Sequence, residues 1–112
     1  MLAIIGGSGL TQLANLEVVR REIMRTPYGE PSGAITFGTI RGEPVAFLAR
    51  HGYGHTIPPH KVNYRANIYA LKDLGVRSIV SWSETRAICH NYKIGQYVIV
   101  DDLVDETTSR PN

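Results

Sequence analysis

The 112-residue chain has 43% hydrophobic and 20% charged residues, with 11 glycines and 6 prolines, proportions that allow one globular domain with a modest core and many turns. Its net charge of +2 is too small to draw nucleic acid or a membrane surface by bulk electrostatics. The single Cys89 excludes an intrachain disulfide framework and suits a reducing cytoplasm, Met1–Leu10 lacks the basic start and long apolar core of a secretory signal, and no apolar run approaches the roughly 20 residues of a membrane span.

Leu2–Ile5 is a short apolar run, read as a buried strand. Gly6-Gly7-Ser8-Gly9 follows at once. Glycines at a strand exit let the backbone approach a ligand and turn its N–H groups toward an anion, and Ser8 adds a hydroxyl donor. Gln12 stands where a dinucleotide fingerprint needs its third glycine, and no Gly-Lys-Ser/Thr follows for a P-loop. Taken alone, GGSG is more often a simple turn. Leu16–Arg25 reads as a strand of mixed alternation, and Thr26–Gly33 as a turn-rich segment. Ala34–Ile40 and Pro44–Ala49 form a predicted hairpin around Arg41-Gly42, with Ile35, Phe37, Val45 and Phe47 as core bulk.

The stretch Arg50–Asn67 is the most distinctive in the chain. It holds two arginines, one lysine, three histidines, two glycines and Pro58-Pro59, and no acidic side chain. A loop this cationic at the end of a buried strand suits a small anion, because ligands sit at strand ends in open α/β sheets and a guanidinium fork matches phosphate. A solvated basic loop is the competing reading; charges, glycines and a rigid Pro-Pro in one place favour the anion site. A metal site built from His51, His55 and His60 is disfavoured, because the prolines break any helix that could align them and no carboxylate or cysteine completes the set. A helix is predicted over Val62–Leu74, with Ala66, Ile68, Ala70, Leu71 and Leu74 as its apolar stripe, Asn63 as its cap or as an anchor of the preceding loop, and Gly75 at C′. Val76–Val80 then makes a parallel strand–helix–strand unit. Tyr92–Gln96 is a turn into a further strand, Tyr97–Val100. Asp101, Asp102, Asp105 and Glu106 cluster after it, where a solvated loop is a better reading than a metal or acid–base site.

The run RHGYGHTIPPHKVNYRANIYALK, with IIGGSGL before it and TPYGEPSG between them, resembles the methylthioadenosine phosphorylase branch of the purine nucleoside phosphorylases. The likeness is long and ungapped and continues more weakly through Gly95–Pro111. It covers nearly all of this chain but only the N-terminal part of the family's domain, so 1–112 is read as that part, short of the family's length. The resemblance implies an α/β fold: a mixed, mainly β sheet with one crossover helix. It implies phosphorolysis of 5′-methylthioadenosine or methylthioinosine, with inorganic phosphate as co-substrate and no metal or organic cofactor. The partners implied are a nucleoside and phosphate, with no nucleic acid and no membrane, in a homo-oligomer that is trimeric by analogy. Phosphate would be held by Ser8, Arg50 and His51, with the Gly6–Gly9 backbone as cradle. At the turn after Val80 the family has a small-residue pattern whose hydroxyl and amides contact phosphate. There Ser83 falls at the hydroxyl position, Glu84 at an alanine and Arg86 at a glycine that lets the purine approach. An ionised Glu84 would repel phosphate unless turned away or neutralised by Arg86. Nothing in 1–112 matches the family's purine-recognising acid, its ribose-contacting methionine or a further phosphate-binding threonine. The alternatives are a catalytically incomplete fragment serving as a phosphate-binding or subunit-interaction module, and a regulatory module for phosphate or a phosphorylated metabolite.

Overall fold

A computed structural model describes residues 1–7, 15–54 and 56–107. Five strands form one mixed sheet: β1 (Leu2–Gly6), β2 (Glu17–Glu22), β3 (Ile35–Ile40), β4 (Glu43–Ala49) and β5 (Ser78–Ser81), in the order β2-β3-β4-β1-β5. One helix, α1 (Tyr64–Asp73), preceded by a 3₁₀ turn at Pro59–Lys61, joins β4 to β5. β3 and β4 form the predicted hairpin, closing at the Ile40↔Glu43 pair. Both turn residues have positive φ (Arg41 51°, Gly42 80°), as the twist of a two-residue hairpin requires. β2 pairs antiparallel with β3, with a register shift between Val18 and Arg20.

β1 lies between β4 and β5 and is parallel to both, from Leu2↔Val45 to Gly6↔Ala49 on one side and Leu2↔Ser78 to Ile5↔Ser81 on the other. The crossover through α1 thus spans β1, and the expected mixed sheet with one crossover helix is what the chain forms. Alternate residues of three strands face the helix: Ala3 and Ile5, Ile35 and Phe37, Ala46 and Leu48 pack with Ala70 and Leu71, rimmed by Met1, Met24, Leu74 and Val76. The alanines on strands and helix remove bulk where the two layers meet. On the other face, Tyr53 covers Phe47 with ring centroids 6.5 Å apart. Its hydroxyl donates to Ala34 O (2.6 Å) and bonds Thr36 Oγ1 (2.9 Å).

α1 is bounded as the sequence predicts. Asn63 Oδ1 accepts from Ala66 N. At the far end Gly75, at φ 82°, and Val76 donate to Lys72 O and Leu71 O, the paired bonds of a Schellman stop. Two expectations are corrected at this end. Val76 closes the helix against the core, so β5 begins at Ser78 instead of Val76. Ile68, placed in the apolar stripe, is 49% exposed, while Asn67 is 2% exposed. A third concerns Tyr97–Val100: it is not a strand, and Tyr97, Val98, Ile99 and Val100 are all exposed. An apolar run becomes a strand only beside a partner, and no described strand pairs with this one.

Candidate anion-binding site

The parallel arrangement sends β4, β1 and β5 out of the same edge of the sheet. Arg50 N donates to Gly6 O (2.9 Å) and Trp82 N to Ile5 O (2.8 Å). Each bond carries the parallel ladder one residue past the strand, so Arg50 stands beside Gly7 and Trp82 beside Gly6. That edge carries the carboxyl ends of parallel strands, where ligands of open α/β sheets bind.

Arg50 crosses onto Gly7. A Cβ built on Gly7 would lie 2.4 Å from Arg50 Nη2 and 2.6 Å from Trp82 O. The guanidinium therefore lies over the exit of β1, not out along β4. Among the described residues no carboxylate pairs with Arg50, so a half-buried cation meets the edge with no described counter-ion. Arg50 Nε–H donates to His51 Nε2 at 3.4 Å, a long bond. His51 is 5% exposed, and its Nδ1 meets Ile57 O at 2.8 Å. A carbonyl only accepts, so the ring proton sits on Nδ1 and Nε2 is the acceptor for Arg50. Ile57 N in turn donates to His51 O at 3.0 Å, which fixes this residue at both backbone and ring. His51, expected to help hold the anion, turns its ring toward Arg50 and Ile57 O in this geometry.

Two asparagines of the helix start hold the 26–33 segment. Asn63 Nδ2 donates to Tyr28 O (2.8 Å), Ser32 N to Asn67 Oδ1 (2.8 Å) and Asn67 Nδ2 to Ser32 Oγ (3.1 Å). The 26–33 segment is thereby fastened to α1, and Gly52 packs against it near Ser32 O. Neither asparagine's link to this segment was foreseen, because the partners are 35 positions away in sequence.

Ser83 and Glu84 follow Trp82 directly and are exposed, so the turn after β5 starts at the same edge as Arg50. Among the described residues Glu84 and Arg86 form no ion pair with each other or with Arg50. Trp82 instead carries the ring contact of this segment, 5.1 Å from Tyr97 between centroids. Ser8 and His55, and the Thr108–Pro111 match, lie outside the described residues.

The Phosphorylase superfamily model matches residues 1–112. The chain belongs to this superfamily. The S-methyl-5′-thioadenosine phosphorylase of Saccharolobus solfataricus is 50% identical over 109 residues, which are 97% of this chain and 40% of that protein. The 6-oxopurine nucleoside phosphorylase of Pyrococcus furiosus is 51% identical, over 98% of this chain and 40% of its own length. Among solved structures, the methylthioadenosine phosphorylase of Schistosoma mansoni with adenine superposes with a TM-score of 0.68 at 44% identity. It covers 71% of this chain, while the chain covers 29% of it. The superfamily member described here thus spans about 40% of the length of the curated relatives it matches, and its sheet has the fold of that portion. Among the described residues no helix is long and apolar enough to cross a membrane.

Proposed function

We propose that this chain carries the phosphate-binding part of a purine nucleoside phosphorylase that acts on 5′-methylthioadenosine or methylthioinosine. The observation that carries the reading is the Arg50 guanidinium, seated over Gly7 at the carboxyl edge of three parallel strands and paired with no carboxylate among the described residues. Such a cation orients phosphate through two parallel N–H···O bonds. Ser8, Ser83 and the backbone at Glu84 are the further donors in this reading, with His51 holding the arginine. A phosphate oxygen attacks the ribose anomeric carbon as the glycosidic C–N bond breaks, and the purine leaves with the electron pair and takes up a proton. Positioning and charge neutralisation are what these residues supply. No metal or organic cofactor is needed; phosphate is the co-substrate. In the same reading the protein is cytoplasmic and works as a homo-oligomer, a trimer by analogy.

No described residue offers itself as donor of the leaving-group proton at a matched position. The 112-residue chain alone is therefore expected to release little purine. In a coupled assay for free purine, phosphate-dependent release is expected once the C-terminal portion of the Saccharolobus solfataricus relative is supplied as a separate chain. Phosphate binding with no turnover in that mixture supports the second reading, a catalytically incomplete module. Glu84 and Arg86, where the family has small residues, favour that reading. Substantial turnover by the 112-residue chain alone overturns the proposed division of labour and directs attention to Glu84, Asp101 and Asp102.

A further inference from the structure

Gly7 was expected to matter because a glycine lets a ligand come close to the backbone. In the structure the space beside its Cα is already taken. An added Cβ would stand 2.4 Å from Arg50 Nη2, 3.1 Å from Arg50 Cζ and 2.6 Å from Trp82 O, two of these far inside van der Waals contact. The objection to a side chain is spatial only: Gly7 is not among the glycines with positive φ, so alanine could adopt its backbone conformation.

We propose that Gly7 is a positioning residue for Arg50, its missing side chain forming the slot in which the guanidinium lies. Three observations make the slot specific to this arginine. The Arg50 backbone is tied to the neighbouring strand through Gly6 O. Its Nε–H is directed to His51 Nε2. The His51 ring cannot follow a displaced arginine, because Nδ1 is held by Ile57 O and the ring is buried. Trp82 O, the other wall, is fixed by the Trp82 N to Ile5 O bond of the β5 ladder. A methyl group at position 7 must therefore push the guanidinium out of the slot and off its histidine. The inference rests on Arg50 being the anion ligand, as proposed above.

Titration of the purified protein with inorganic phosphate tests both ideas separately. Arg50→Ala is expected to weaken binding strongly. Gly7→Ala is expected to weaken it roughly tenfold or more, the scale of one lost charge-assisted bond. The double variant should bind no more weakly than Arg50→Ala, because both changes remove one interaction. If Arg50→Ala binds as wild type does, the anion reading itself is wrong. If Arg50→Ala is weakened while Gly7→Ala matches wild type, or if the two losses add, Gly7 does not act through Arg50. Should Gly7→Ala fail to fold, the wild-type guanidinium decides by nitrogen-15 NMR. Resolved, slowly rotating Arg50 Nη groups support the slot, and a freely rotating guanidinium overturns it.

Discussion

Asn67 occupies a helix position that faces the interior, and it is 2% exposed. Its amide meets the backbone and the hydroxyl of Ser32, accepting at 2.8 Å and donating at 3.1 Å. Asn67→Ala leaves the half-buried Ser32 N–H without that partner, and losing such a hydrogen bond costs about 0.5–1.5 kcal/mol. A denaturant melt should show that loss as a lower midpoint with the slope unchanged; an unaltered midpoint would mean that water replaces the amide. Residue chemistry was legible where it is written in one stretch: Arg50 and His51 stood out by charge and by motif. Their arrangement was not. Gly7 and Arg50 become neighbours only through the pairing of β1 with β4, and the direction of the His51 ring depends on a carbonyl of its own loop, Ile57 O. Spacing in the sequence holds no information about either contact.

Elements were legible where local rules and tertiary packing agree. The β3–β4 hairpin has alternating bulk around a two-residue turn, and α1 has a cap, an apolar stripe and a glycine stop. Asn63 does two jobs, capping α1 through Oδ1 and holding Tyr28 O through Nδ2. Asn63→Ala should destabilise the fold by about 1–2 kcal/mol. Asn63→Ser should recover only part of that, because a hydroxyl can cap the helix but is too short to reach Tyr28 as the amide does. Thermal melts of the three proteins check the order; equal stability of the serine variant and wild type would show that the link to Tyr28 contributes nothing. Tyr97–Val100 marks the limit of such reading. Its residues favour a strand, but a strand is a pairing, and the partner is not encoded within the segment itself.

At the scale of the whole molecule the sheet is unevenly covered. β4 is buried along most of its length, whereas every residue of β5 is exposed. Strands of parallel sheets are ordinarily covered on both faces. Here Ile79 (40% exposed) and Val80 (48%) lie open, and the apolar residues Ile88, Ile94, Tyr97, Ile99 and Val104 are exposed as well. Exposed edges and patches of this kind recruit other chains. The purified 112-residue chain is therefore expected to self-associate, and light scattering combined with hydrogen exchange should show multimers with weak protection in β5. A monodisperse monomer strongly protected in β5 would contradict this. The same sheet geometry underlies the functional account, since the exits of β4, β1 and β5 converge where Arg50 lies. Calorimetric titration with inorganic phosphate, wild type against Arg50→Ala, tests that account most directly. The predicted result is binding by wild type and a loss of about 1.5–3 kcal/mol on removing the charged donor of the half-buried guanidinium; equal affinity of the two proteins for phosphate would contradict it.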